Sequence, residues 1–381
     1  MKKKILIWCL VILLLLGGAG TTWYLFSIGA IGFELPAATD PVHGDLLGMY
    51  QEAPTEPVVT EPPVSEPVAT EPLPSEPAVT EPLPTEPTEP TDPTEPTDPT
   101  EPTEPTDPTD PEEPSQDDEP RQITASTYFV YDLRSKEFVT ISGRKTEKVF
   151  PASITKLMTS YVALQYLSPA DTFTVGDEIA LIDWDSSRAY LKEGDVLTVA
   201  QCIDAMLLPS GNDAAYAMAT AVGRKIAGKE VSAQRAMDLF VNAMNQAAED
   251  LGMDNSHFET VDGMHLAQHY TCPQDLATLI TALMKTPVVL NSAFSSSATH
   301  TINDRKVTWK NTNSLLNPKS SYYNPNAMGL KTGYTSYAGN CLLSLFFDDD
   351  RLYLIGTFDC PGYYDRFADT RQLYQEWIAN N

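Results

Sequence analysis

Residues 122–381 predict an α+β architecture: one antiparallel sheet built from both ends of the segment, flanked by helices, with a helical subdomain inserted between them. Two stretches near the start, 126–133 and 138–141, alternate apolar and polar residues around the polar 134–137, the pattern of a β-hairpin. Near the end, 328–334, 340–347 and 351–358 read as strands, the last two joined by an acidic turn at 348–350. The residues between are rich in Ala and Leu at helical spacing.

The helices follow in order. Residues 152–167 place Leu157, Met158, Tyr161, Val162 and Leu164 on one apolar side. Thr198 is the expected N-cap of a helix at 199–208, and 213–226 is an Ala-rich helix. Further helices are expected at 232–251 and 273–284, and a closing one at 363–379. A crevice between sheet and helices is the natural place for a site.

The formal charge of −27 over 381 residues misleads, because it is concentrated. Residues 51–120 hold 21 acids, no Lys or Arg, and 21 of the 31 prolines; residues 121–381 carry a net of only −6. With no basic stripe to neutralise phosphates, nucleic acid is excluded as a partner. Lys2, Lys3 and Lys4 precede an uncharged run to Phe33, with Trp23, Tyr24 and Phe26 near its far end. That length suits a membrane-spanning anchor over residues 1–33 better than a cleaved signal. Gly18-Ala19-Gly20 is where cleavage would otherwise fall, and the chain would then be secreted. Residues 34–121 read as an extracytoplasmic linker rich in Pro, Thr and Glu. Six pentads are followed by nine Thr-Glu-Pro or Thr-Asp-Pro triplets. Proline at that density excludes helix and sheet and favours polyproline II, so a spacer of up to ~200 Å is expected. Cys202, Cys272, Cys341 and Cys360 are widely spaced with no CxxC pair, which reads as buried thiols and not as a metal site.

Three short motifs carry chemistry. Ser153-Ile154-Thr155-Lys156 is an S-x-x-K at a helix start, which puts both side chains on one face. A desolvated lysine there can be neutral and take the serine proton. Ser142-Gly143-Arg144-Lys145 fits the same pattern in a charged turn, with no helix to orient it, and is a coincidence. Ser210-Gly211-Asn212 is an S-x-N between two helices, and in isolation it reads as a linking turn with Asn212 as N-cap. Lys331-Thr332-Gly333 is a K-T-G on a strand ahead of Tyr334, where glycine lets a ligand approach the backbone.

In that order, on those elements, the three motifs are the signature shared by penicillin-binding proteins and class A β-lactamases. The sequences around them, Phe150 to Thr159, Leu191 to Thr198, Leu207 to Ala215 and Gly329 to Thr335, resemble the low-molecular-weight D-alanyl-D-alanine carboxypeptidases. So do Leu251 to Phe258 and His269-Tyr270-Thr271. The resemblance covers the domain at 122–381 and implies the penicillin-binding-protein/β-lactamase-like fold. It implies Ser153 as nucleophile on the terminal D-Ala-D-Ala bond of a peptidoglycan stem peptide, Lys156 as general base, and Ser210, held near Lys156, as proton carrier to the leaving amine. Asn212 would hold the substrate backbone, and Lys331, Thr332 and Gly333 would form the carboxylate-binding strand. The backbone N–H groups of Ser153 and Tyr334 would form the oxyanion hole, with Arg366 near the carboxylate. β-Lactams would acylate Ser153, and no cofactor is implied. Alternatives are a D,D-endopeptidase cutting cross-links and a non-catalytic wall-binding or β-lactam-sensing protein. His265 and His269 have the i,i+4 spacing of metal ligands but no HExxH glutamate, so no metal is expected. Cys272 stands where a small or polar residue is expected, with no function to assign to it.

Overall fold

The computed structural model describes residues 122–380; the expected anchor at 1–33 and the linker at 34–121 lie outside the described residues. Strands β1 (Thr127–Asp132) and β2 (Glu137–Ile141) form the opening hairpin. Strands β7 (Ala327–Thr335), β8 (Gly339–Asp348) and β9 (Arg351–Cys360) form the closing meander. They join as one antiparallel sheet in the order β2-β1-β9-β8-β7, with Thr127 opposite Phe358 and Asp132 opposite Tyr353. The sheet is therefore drawn from both ends of the domain, as its sequence predicts.

Helix α1 (Thr155–Tyr166) follows a 3₁₀ turn over Ala152–Ile154, so the predicted single helix starts in a tighter winding. Helix α2 (Val199–Leu207) carries the Thr198 cap, completed by Gln201 as a reciprocal capping box. Helices α3 (Asn212–Ala227) and α4 (Ala233–Leu251) each end on a left-handed glycine, Gly228 and Gly252. Helix α5 (Pro273–Leu283) turns sharply into α6 (Pro287–Phe294). Among the described residues no single helix is long and apolar enough to cross a membrane. Helix α7 (Asp365–Tyr374) ends in a π turn over Gln375–Ala379.

Two apolar clusters explain why β8 reads as an almost unbroken apolar run. Phe129, Leu343, Leu345 and Leu354 face α1 and the other inserted helices, while Val130, Leu342, Phe346 and Ile355 face Phe367, Leu373 and Tyr374 of α7. The sheet is buried on both faces. Elements absent from the sequence reading are small: β3 (Thr172–Thr174) with β4 (Val196–Thr198), helix α6, and the hairpin of β5 (Ser297–Ile302) with β6 (Arg305–Lys310). That last hairpin turns on Asn303 and Asp304, both at positive φ (45° and 64°), the type that twists with its strands.

The four described cysteines are free and buried, and burial pushes each thiol up, Cys272 and Cys341 to about 12. Cys272 caps α5: its Sγ accepts the Asp275 N–H at 3.4 Å, the work a serine usually does there.

Helices α3 and α4 pack backbone to backbone at Gly223, where a Cβ would stand 2.0 Å from the Ala236 carbonyl oxygen. Gly223→Ala is expected to destabilise the domain by about 1–3 kcal/mol, read as a lower urea midpoint with an unchanged slope.

Candidate active site

Ser153 is placed by strain and by a helix start. Ala152 sits at φ +45°, which costs energy for a residue with a side chain, and turns the chain from Pro151 into the 3₁₀ turn bearing Ser153. One turn on, Lys156 is fully buried on α1. Its Nζ donates to Ser153 Oγ at 2.8 Å, to Asn212 Oδ1 at 2.8 Å and to the Asp262 carbonyl oxygen at 2.9 Å. Three donors meet three acceptors, which is the full capacity of an ammonium. Burial lowers the Lys156 pKa to about 8, against the opposing pull of Asp262 and Asp213. A usable fraction of neutral amine therefore exists near neutrality, already in contact with the serine.

The S-x-N turn differs from its sequence reading in two respects. The helix cap is Gly211, not Asn212; Asn212 is the first residue of α3 and its side chain is spent on Lys156. Glycine is required at 211 because a Cβ would lie 2.7 Å from the Ala205 carbonyl oxygen. Ser210 is buried and lines the cleft at φ +65°, but none of the three Lys156 donors goes to it. It shares the cleft with Asn212, while the three hydrogen bonds of the amine go to Ser153, Asn212 and the Asp262 carbonyl. Next in the chain, the Asp213 carboxylate accepts from the N–H groups of Ala189, Leu191 and Ala214, and so pins the 185–191 segment against α3.

Strand β7 forms the opposite wall, at the edge of the sheet. A bulge at its start, with Gly329 and Leu330 at φ +93° and +136°, precedes Lys331. Lys331 is 1% exposed and donates to the Thr332 carbonyl oxygen at 3.0 Å. Thr332 Oγ1 lies 2.6 Å from Thr312 Oγ1. From α7, Arg366 donates to the Gly333 carbonyl oxygen at 3.1 Å, with its guanidinium 4.3 Å from the Tyr363 ring centroid. Neither Lys331 nor Arg366 has a salt-bridge partner among the described residues. Burial, then Lys156 and Arg366, push the Lys331 pKa well below its ordinary value. A buried pair of basic groups with no carboxylate partner among the described residues favours the approach of an anion, which would hold the lysine's proton more firmly. Gly333 brings the strand against the nucleophile: a Cβ there would stand 3.2 Å from the Ser153 amide nitrogen.

The resulting cleft has a volume of about 640 Å³. Ser153, Ser210, Asn212, Thr332 and Arg366 line it, together with Gly333 and Tyr334, while Lys156 and Lys331 act from behind that lining. Its outer wall is a stack of His265 on Tyr337, ring centroids 4.0 Å apart, with Phe150 edge-on to His265. The two histidines are structural. His269 Nδ1 accepts from the Glu259 and Thr260 N–H groups, so its proton is on Nε2, 2.8 Å from Thr155 Oγ1. Among the described residues no group of side chains could hold a metal. Sequence reasoning missed the Asp262 carbonyl, Thr312 and the His265–Tyr337 wall, because backbone acceptors and long-range stacking leave no local pattern.

A serine–lysine pair at a helix start, facing an edge strand backed by buried basic side chains, defines a serine acyl-transfer site on the penicillin-binding-protein fold. A family model described as D-alanyl-D-alanine carboxypeptidase matches residues 112–355, and the chain belongs to that family. It is 36% identical over 201 residues to the D-alanyl-D-alanine carboxypeptidase of Streptomyces sp. (strain K15), covering 50% of this chain and 66% of that protein. It is 31% identical over 269 residues to D-alanyl-D-alanine carboxypeptidase DacD of Escherichia coli, covering 68% of this chain and 64% of that protein. The chain thus spans about two thirds of the length of these curated relatives. Among solved structures it superposes on the Streptomyces K15 DD-transpeptidase with a TM-score of 0.62 at 26% identity, covering 68% of this chain and 98% of that one. Penicillin binding protein 6B of Escherichia coli gives 0.58 at 31% identity, covering 69% and 80%.

Two pH effects follow. With Lys156 as the base that activates Ser153, the acylation rate is expected to rise with pH and reach half its plateau at about 8, read with a chromogenic β-lactam across a pH series. Burial, then His257 and His265, push His269 down to about 3, so the unfolded chain binds this proton before the folded one. Stability is then fully present above about 6.5, the ordinary histidine value, and is lost as pH falls toward 3. His269→Gln should flatten that part of a plot of unfolding free energy against pH.

Proposed function

We propose that the protein is a serine-type D-Ala-D-Ala carboxypeptidase that removes the terminal D-alanine from peptidoglycan pentapeptides. The observation that carries this reading is the 2.8 Å contact from a fully buried Lys156 Nζ to Ser153 Oγ, opposite a cationic pocket at Lys331 and Arg366. The substrate's terminal carboxylate would be held by Thr332 and the two cations, which sets the scissile carbonyl over Ser153. Lys156 takes the Ser153 hydroxyl proton as Oγ bonds to the carbonyl carbon. The oxyanion is met by the amides of Ser153 and Tyr334, an effect worth about 3–4 kcal/mol per donor. The C–N bond then breaks, a proton reaches the amine, and D-alanine leaves an ester on Ser153 that water hydrolyses. Ser210, at the cleft surface, is the proton carrier, engaged once substrate loosens the Lys156 contacts. β-Lactams would acylate the same serine.

The acyl acceptor is the open choice, because the Streptomyces relative is named a carboxypeptidase and its solved structure a DD-transpeptidase. Water as acceptor gives carboxypeptidase action. We further propose that residues 1–33 anchor the chain in the cell membrane and that 34–121 carry the domain into the wall. The support for this is the lysine-flanked apolar run and the proline repeat.

The test is D-alanine release from a stem peptide ending in D-Ala-D-Ala, by the full chain beside Ser153→Ala. Release by the first and none by the second is expected. No release by a folded, β-lactam-reactive wild type would overturn the carboxypeptidase reading in favour of another acceptor. Lys331→Ala should raise KM for the peptide by about 10–100-fold, the loss of a charge-assisted contact of 1.5–3 kcal/mol.

A further inference from the structure

The wall of the cleft runs on past the K-T-G strand. Thr332, Gly333, Tyr334, Thr335, Ser336 and Tyr337 line it in unbroken succession. Strand β7 is the edge of the sheet, so an extended ligand can lie along its open side. The proposed function fixes a substrate at two points on this strand, its carboxylate at Thr332 and its scissile carbonyl at the Tyr334 N–H. Two points set a direction, and the residues upstream of the scissile bond run toward the 335–337 turn. At about 3.3 Å per extended residue, they reach Tyr337 within about three residues.

That turn is rigid. Thr335 Oγ1 accepts the Ala338 N–H at 3.0 Å, and a Cβ on Gly339 would stand 2.6 Å from Asp359 Oδ1. The Tyr337 ring lies against His265 with 12° between the planes, and Phe150 meets His265 edge-on at 4.7 Å. His265 Nδ1 is buried and makes no hydrogen bond among the described residues, so ring packing sets its place. Tyr337 is nonetheless 67% exposed. A large ring held still at a cleft mouth gives contact area at little cost in side-chain freedom.

Tyr337 also lines a second cleft, of about 420 Å³, together with Phe150, Lys148, Glu147 and Asp359. Lys148 stands 3.5 Å over the Tyr270 ring and has no carboxylate partner among the described residues. Asp359 Oδ2 accepts from Ser126 Oγ at 2.7 Å. One ring is thus shared by the reactive cleft and by a groove with charges of both signs, which suits a polar peptide and not an apolar chain.

We propose that Tyr337, backed by His265, is a specificity-determining surface for the stem-peptide residues upstream of D-Ala-D-Ala, and that the second cleft receives the segment beyond it. This inference rests on the carboxypeptidase reading above and adds where the rest of the substrate lies.

The test uses the full chain and Tyr337→Ala, with thermal unfolding in parallel. The kcat/KM for D-alanine release is measured on N-acetyl-D-Ala-D-Ala and on a pentapeptide stem ending in D-Ala-D-Ala. The wild type is expected to favour the pentapeptide. Tyr337→Ala should cut the ratio of the two constants by about 3–10-fold, because the short substrate ends before the ring. Tyr337→Phe keeps the aromatic face and should keep the ratio. Tyr337→Leu is the second variant should the alanine not fold. A folded Tyr337→Ala or Tyr337→Leu whose ratio matches the wild type overturns the inference and leaves the carboxypeptidase reading standing. So does a Tyr337→Phe that loses as much as the non-aromatic variant. A wild type that releases D-alanine from neither peptide overturns both.

Discussion

Burying the amine of Lys156 is the constraint on which the rest of the site depends. An ammonium removed from water must find three acceptors or lose its proton, and this one does part of each. Its acceptors come from a 3₁₀ turn, the first residue of α3 and the 260–264 turn, so three separate stretches of chain are positioned by one side chain. Those stretches are in turn held by residues that never touch a substrate. Asp213 gathers backbone amides, His269 ties Thr155 to the 259–260 backbone, and Gly263 allows that turn to reach α1.

The opposite wall obeys the same electrostatics with the sign reversed. Lys331 and Arg366 are buried near Lys156 and neither has a carboxylate partner among the described residues, so each disfavours the other's charge. On the proposed function, the energy withheld from the resting protein would be regained when an anion binds, which would make carboxylate recognition and charge relief one event. Lys156 and the pocket are coupled, because Lys331 and Lys156 repel one another through the same small volume.

How much of this was legible in the sequence depends on the range of the interaction. Elements with strong local periodicity, such as α4 and the closing meander, were readable within a residue or two, and α1 within three. So was the Thr198 cap, whose partner Gln201 is three residues away. The triad of motifs was readable because each is a contiguous string. What could not be read is set by distant groups. The Asp262 carbonyl is 106 residues from Lys156 and belongs to a residue whose side chain gives no hint of it. Which acceptors take the three protons of Lys156 is likewise decided by partners remote in the chain. The β5–β6 hairpin was passed over although Asn303-Asp304 lies between alternating residues, a local signal that was present and not used.

The sheet's composition has a consequence for the order of assembly. Strand β1 pairs with β9, so Thr127 must wait for Phe358 before the sheet can close. The helices from α1 to α6 are contiguous in sequence and need no such wait. Closing so long a loop comes late and slowly, because its entropy is spent before the contacts reward it. On that ordering, the serine, its lysine and the asparagine can meet while β7 is still unpaired. Reactivity would then be withheld from an incomplete chain by the missing anion wall, and the last strands to dock would be the ones that switch the enzyme on.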